Sequence, residues 1–209
     1  MSLWGRPMKL RVDNGSPWGT QQTLPSALAL WLVGLGVTPI YGRPARSTDN
    51  AIVERSHGVL AQWVEPSRCV DAAMFQQRLD WASHTQRERY RSPDGYTRRD
   101  AFPDLYLNPR TYHPDDERQL WRLQRVADYL ADFRFVRKVE KKGQITLFAN
   151  TYGVGQGYAR QFVEVSLDPL THEWCVRDEY GTELQRHPAQ ELSYDLISQL
   201  QLAKRRRDA

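Results

Sequence analysis

The sequence predicts an α/β segment followed by an all-β segment, and three observations carry this prediction. Residues 24–35 are almost wholly apolar and lie between two short β-type runs, which favours a buried helix between strands. Residues 52–64 repeat apolar side chains at helical spacing. After Asp132, short alternating runs separated by turn residues indicate regularly spaced strands. We therefore expect a mixed α/β part and then a small β-barrel or sandwich of about 60 residues.

The first part begins with a predicted strand, helix and strand. Met8–Val12 alternates weakly and runs into a turn at Asp13–Pro17, where Asn-Gly and Ser-Pro interrupt regular structure. Leu24–Leu35 predicts a helix that is stopped by glycines, and the β-branched run Val37–Tyr41 predicts the second strand.

Two longer helices and a linker are expected next. One helix begins near Asp49 and ends at Pro66, and another covers residues 71–91. Residues 92–114 contain four prolines and predict an extended linker. A further helix is expected over 115–130, since acidic residues at its start suit the helix dipole.

Short β-type runs fill the remainder of the chain. Glycine- and proline-containing turns separate them, which is typical of a small barrel or sandwich. The predicted strands are 133–139, 144–148, 162–167, 173–177 and 183–186.

The composition excludes several classes of protein. The 209 residues contain no uninterrupted apolar run near the roughly 18 residues of a membrane helix, so no membrane partner is expected. Cys69 and Cys175 are too few for a disulfide framework or a four-thiolate zinc site. No signal-peptide pattern opens the chain, and a reducing cytoplasmic compartment is expected.

The charge balance permits binding to nucleic acid without proving it. Lysine and arginine number 29 against 25 acidic residues, a net charge of +4, and 24 of the 29 are arginine. Arginine suits bidentate contacts with phosphate. A GC-rich genome would produce the same bias.

Two carboxylates stand out by their placement. Asp13 closes the first predicted strand, and Glu54 lies early in a predicted helix behind a basic loop. Such acids can share a divalent cation, because Mg²⁺ prefers hard oxygen ligands. The spacing is equally compatible with a turn aspartate and an unrelated, solvated helix glutamate.

Longer motifs around these acids resemble a known family. RVDNGSPWG at 11–19 resembles the second-aspartate motif of integrase-type insertion-sequence transposases. GRPARSTDNAIVERSH at 42–57 is similar to that family's loop-and-helix motif. FRFVRKV at 133–139 and GQITLF at 143–148 resemble its small C-terminal barrel.

The resemblance implies a ribonuclease-H-like catalytic core with an Asp-Asp-Glu triad that acts in DNA integration by phosphoryl transfer. Asp13 matches the second aspartate and Glu54 the glutamate, so both are expected to be catalytic and to bind Mg²⁺ or Mn²⁺. The expected DNA contacts near them are Arg43, Arg46, Arg55 and His57.

The first aspartate of the triad has no match, because no acidic residue precedes Asp13. We therefore expect the C-terminal part of such a transposase, with metal bound only by a complete triad and little or no strand transfer by this chain alone. Its predicted segments are a partial core (1–91), a linker with a helix (92–132), a small barrel (133–192) and a basic tail (193–209). The alternative is a non-enzymatic remnant that binds DNA or an intact transposase.

A second basic cluster lies in the predicted β segment. It can be a solvated hairpin or an edge that contacts phosphates, and neighbouring phenylalanines support the second reading. Its members are Arg134, Arg137, Lys138, Lys141 and Lys142.

The remaining expectations concern partners, location and the tryptophans. DNA and intact transposase subunits are the expected partners, in the nucleoid region of a bacterial cytoplasm. The tryptophans, Trp63 and Trp81 among them, are expected in the core and not on a base-stacking surface.

Overall fold

The predicted mixed α/β class is confirmed. The computed structural model contains helices and both parallel and antiparallel strand pairs. None of its described helices is both long and apolar enough to cross a membrane. The residues that it describes are 1, 5–15, 17–18, 24–43, 51–107 and 110–200.

The chain divides into two compact units. The first unit consists of Met1–Gly5 and Gly42–Thr111, and the second of Arg6–Tyr41 and Tyr112–Ala209. This grouping differs from the predicted boundaries at 91 and 132, because the first two strands and their helix share a unit with the C-terminal half.

The second unit starts with the strand, helix and strand that the sequence predicts. Strands β1 (Lys9–Val12) and β2 (Thr38–Tyr41) pair in parallel, from Lys9 opposite Thr38 to Val12 opposite Tyr41. Helix α1 (Ala27–Gly34) connects them, since parallel strands need a crossover. Ser26 caps α1 by accepting the Ala29 amide at 3.2 Å. Five of its eight residues are buried, as expected of a wholly apolar helix.

Helices α2 (Ala51–Val64), α3 (Ala72–Glu88) and α4 (Arg98–Ala101) belong to the first unit, and α2 packs against α3. The two longer helices confirm the sequence prediction, although the predicted start at Asp49 lies outside the described residues. Asp71 caps α3 by accepting the Met74 amide at 2.7 Å.

A buried polar group joins α2 to α3. Gln86 is 5% exposed, donates from Nε2 to Ser56 Oγ at 2.9 Å, and accepts from Arg98 at 3.1 Å. The prediction that Trp81 lies in the core is wrong, since 55% of its surface is exposed. The buried positions of α3 are Ala82 and Gln86. The Trp81 ring is tilted by 58° against that of Trp63, with ring centroids 6.3 Å apart.

The helix predicted over 115–130 is two helices. They are α5 (Glu117–Leu120) and α6 (Leu123–Ala131). Trp121 separates them because its backbone is extended, with ψ at 138°, while its side chain is buried.

Six strands follow: β3 (Phe135–Lys138), β4 (Gln144–Leu147), β5 (Asn150–Gly153), β6 (Phe162–Asp168), β7 (Glu173–Arg177) and β8 (Glu183–Pro188). All but β5 are predicted by the sequence. Strands β3, β6, β7 and β8 form an antiparallel sheet in that order, and β4 and β5 form a separate two-stranded sheet. A short helix, α7 (Tyr194–Ile197), comes last.

The predicted closed barrel is not seen among the described strands. The outer strands β3 and β8 do not pair with each other, so the sheet is open. The β4–β5 hairpin lies against β8 through side chains instead of a backbone ladder. His187 Nε2 is 2.6 Å from the Gly153 carbonyl, and its ring contacts Tyr152.

The core of the second unit joins its two stretches of chain. Helix α6 contacts both α1 and β6. At the end of α1, Gly34 lies so close to Trp121 that a Cβ would come within 1.9 Å of the indole nitrogen. The carbonyl of Gly34 accepts the Arg122 amide and the Arg125 guanidinium, both at 3.0 Å.

Candidate nucleic-acid interface

The two predicted catalytic carboxylates are exposed and belong to different compact units. Asp13 follows β1 directly, and its Oδ1 accepts the Gly15 amide at 3.1 Å in the predicted turn. Glu54 lies in the first turn of α2, where a negative charge suits the helix dipole. A cation pocket shared by Asp13 and Glu54 stays a prediction.

The described residues include no group of three or more His, Cys, Asp or Glu side chains that could bind a metal ion. Mg²⁺ and Mn²⁺ need several hard oxygen ligands. Asp13 and Glu54 supply one carboxylate each, from separate units. Metal binding by Asp13 and Glu54 therefore stays a prediction.

The predicted DNA contacts near Glu54 are accessible where the structure describes them. Arg43 is exposed just after β2, and Arg46 lies outside the described residues. Arg55 and His57 are exposed on α2. Residues two apart on a helix do not face each other, so Arg55 and His57 project to different sides of α2.

Two of the predicted basic residues at β3 are engaged with the backbone. Arg134 donates to the carbonyls of Ala131 and Phe133 at 2.7 and 2.9 Å, and its Nε lies 3.6 Å from Glu164. Arg137 donates to the carbonyl of Val136 at 2.9 Å. Strand β3 is an outer strand of its sheet, and Arg137 covers a carbonyl of that strand, whereas Arg134 covers carbonyls of α6 and of the segment that leads into β3.

Two of the other predicted cations, Lys138 and Lys141, line a cleft of about 350 Å³, which we call the basic cleft. It is lined by Lys138, Lys141 and Arg160 together with Val139 and Glu140. Three cationic side chains therefore face one carboxylate. Within the described part of the chain, Lys138, Lys141 and Arg160 form no ion pair.

A tight turn between β3 and β4 presents the lysines. The Glu140 amide donates to the Gln144 carbonyl at 2.8 Å, and the Gly143 amide donates to the Glu140 carbonyl at 2.9 Å. Gly143 has a φ of 74°, and a Cβ there would lie 2.5 Å from the backbone of Gly155. Only glycine fits this position, and Lys141 and Lys142 are exposed just before it.

Arg160 is a candidate site residue that the sequence analysis missed. It lies 18 or more residues from the lysines of the turn, and no basic neighbour in the sequence marks it. Its amide donates to the Val139 carbonyl at 2.9 Å, which extends the β3–β6 pairing and brings it beside Lys138 and Lys141. The strand pairing, and not local composition, creates this contact.

No model of a known protein family matches the chain.

Proposed function

We propose that this protein is a transposase- or integrase-like protein that acts in DNA integration and holds DNA phosphates at the basic cleft. The observation that carries the proposal is the convergence of Lys138, Lys141 and Arg160 on one open cleft, where none of them has an ion-pair partner among the described residues. Lys142 adds a further exposed cation beside them.

The chemistry of the cleft fits a phosphate backbone better than a base edge. Lysine and arginine bind phosphate by charge-assisted hydrogen bonds, and such contacts position a protein on DNA without reading sequence. Arg134 and Arg137 contribute less in this proposal, since their guanidinium groups already bond carbonyls of β3 and its approach.

The catalytic part of the proposal rests on the resemblance of the two acidic motifs. In it, β1, α1 and β2 are part of a ribonuclease-H-like core, the C-terminal strands correspond to the family's small barrel, and Asp13 and Glu54 are two of three metal-binding acids. Phosphoryl transfer would then depend on positioning and charge stabilisation.

One observation favours a second candidate, a DNA-binding or transposase-interacting protein without activity of its own. The basic cleft lies in the second unit and includes neither Asp13 nor Glu54. It can therefore retain DNA whether or not a catalytic triad is complete.

A gel-shift titration of the full chain over a salt series tests the proposed interface. We expect the logarithm of affinity to fall linearly with the logarithm of salt concentration. The double substitution Lys141→Gln and Arg160→Gln should flatten that slope by about 2, since each lost phosphate contact removes close to one unit.

Arg118→Gln is the matched control. Arg118 is also an exposed arginine of the second unit, but it pairs with Asp195 at 2.6 Å and is not among the residues that line the cleft. Its removal should leave the slope unchanged. A slope that is flat for the wild type, or equal in the double variant, would contradict phosphate binding at the cleft.

A further inference from the structure

The second unit contains another cavity, of about 340 Å³, that is separate from the basic cleft. Its polar wall consists of Asn150 and Glu191. The rest of its lining is apolar and comes from α1, the β4–β5 turn and the segment around α7: Ala27, Leu30, Phe148, Leu192, Leu196 and Ile197.

Glu191 brings a negative charge to this apolar cavity. Its carboxylate accepts from Trp174 Nε1 at 2.8 Å, from the Tyr152 hydroxyl, and from Asn150 Nδ2 at 3.4 Å. All three donors are neutral. Burial, and after it the smaller effect of the hydrogen bond to Glu191, raises the pKa of Tyr152. Across the described residues, no cation pairs with Glu191. Among the residues that the structure describes, the cavity thus has an anion without a counter-charge.

An aromatic ring is held at the same cavity at a conformational cost. Phe148 and Ala149 form the β4–β5 turn with φ values of 46° and 66°, a region that favours glycine. The Phe148 ring stacks on Trp174, with centroids 6.1 Å apart, and lines the cavity. Strained residues of this kind recur at ligand sites, and an aromatic face attracts cations.

We propose that this cavity binds a small organic cation, a primary ammonium group on an apolar body. The ammonium group would lie at Glu191 and Phe148, and the apolar body against Leu30, Leu192 and Ile197. The volume is at the lower end for small-molecule sites, which restricts the ligand to a few carbon atoms or a single ring. The inference does not depend on DNA binding.

Titration of the full, ¹⁵N-labelled chain with 2-phenylethylamine tests the proposal. The Trp174 indole N–H reports on the site, since it donates to Glu191. We expect its NMR signal to shift saturably with the amine. The neutral analogue 2-phenylethanol, of the same size, should bind about tenfold more weakly, because it lacks the charge-assisted contact.

Two variants separate the charge from the cavity. Glu191→Gln keeps an acceptor oxygen for Trp174 and should abolish the preference for the amine over the alcohol. Ala27→Phe fills the exposed mouth, leaves Glu191 in place, and should block both compounds. The proposal fails if the wild type gives no saturable shift, if amine and alcohol bind equally, or if Ala27→Phe binds the amine unchanged. Should Glu191→Gln not fold by circular dichroism, Ala27→Phe alone decides.

Discussion

Glu117 is a single residue that ties several elements of the second unit together. Its carboxylate accepts from Trp31 Nε1 at 2.8 Å, from Tyr194 at 2.9 Å, and from the Tyr112 hydroxyl. Burial alone would raise the pKa of Glu117, but these three hydrogen bonds hold it below its ordinary value of 4.5. Burial and the bond to Glu117 raise the pKa of Tyr112 to about 12, so the phenol remains a donor.

The lowered pKa of Glu117 predicts a specific dependence of stability on pH. A group whose pKa is lower in the folded state stabilises the protein above its unfolded pKa, and this contribution is lost as pH falls through the folded pKa. We expect Glu117→Gln to cost about 1–2 kcal/mol at pH 7. The difference from wild type should shrink below pH 4.5. Urea unfolding of both proteins at pH 7, 5, 4 and 3 measures this difference in the free energy of unfolding. A difference that is constant across this range would refute a lowered pKa of Glu117 as its cause.

Individual residues also limit what the sequence can predict. The apolar pattern of α3 does not predict that Gln86 is buried and Trp81 exposed. Gln86 is accommodated because Ser56 and Arg98 bond its amide group, and such long-range partners have no local signal. Arg160 was missed for the same reason, whereas the neighbouring residues 134–142 form a charge run that the sequence displays.

At the scale of elements, the contact between α1 and Trp121 predicts that Gly34 cannot be replaced. Alanine is the better helix former by about 1 kcal/mol, but its Cβ would lie 1.9 Å from the indole nitrogen. Overpacking of this kind typically costs about 1–3 kcal/mol, and the Gly34 carbonyl would lose its bonds if α1 moved away. Gly34→Ala should therefore lower the free energy of unfolding in a denaturant titration.

Gly58→Ala provides the matched control for this substitution. Gly58 lies within α2, and a Cβ there would meet nothing within 4 Å. The same change should be neutral or stabilise the first unit by up to about 1 kcal/mol. Equal effects at Gly34 and Gly58 would show that helix propensity, and not the Trp121 contact, determines the response.

The open edge of β3 predicts a second element-level effect. Val136 is 61% exposed on this strand, and Arg137 covers its carbonyl at 2.9 Å. Uncovered edges of this kind pair with other chains. Arg137→Ala should increase self-association in sedimentation velocity, while Arg118→Ala, which removes a side chain paired with Asp195, should not. A monomer for both variants would contradict this role for Arg137.

The sequence predicts the type of each element better than the positions at which helices are interrupted. The strands on either side of α1 and five of the six C-terminal strands follow from apolar patterning. Strand β5 was missed because its sequence, NTYG, offers one buried apolar side chain, Tyr152. The interruption between α5 and α6 depends on burial of Trp121 beneath α1, which is a tertiary contact.

For the whole molecule, the proposal predicts that DNA binding at the basic cleft does not depend on the two predicted catalytic acids. Asp13→Asn combined with Glu54→Gln removes both predicted catalytic acids without touching the basic cleft. We expect DNA affinity at fixed salt to change by less than about threefold, since neither substitution removes a phosphate contact. Fluorescence anisotropy with labelled duplex DNA measures this. A large gain or loss of affinity would place DNA at the acids instead of the cleft.

The apolar patterning of the sequence does not predict how the chain divides into units. Composition shifts near 92 and 132 suggest boundaries there, yet the unit that contains β1, α1 and β2 is completed by residues after Thr111. Patterning reports which face of an element is apolar, but not which distant element covers it. Whether Asp13 and Glu54 share a site stays a prediction for the same reason.

The discontinuous second unit has a consequence during synthesis. A ribosome completes α1, whose sequence is ALALWLVG, well before it reaches α6, which contacts it in the folded protein. Until then the nascent chain carries an exposed hydrophobic segment of the type that chaperones bind. A messenger RNA that is truncated between the codons for Thr111 and Leu123 should therefore yield an insoluble polypeptide. This holds even though every residue of Gly42–Thr111 has then been translated.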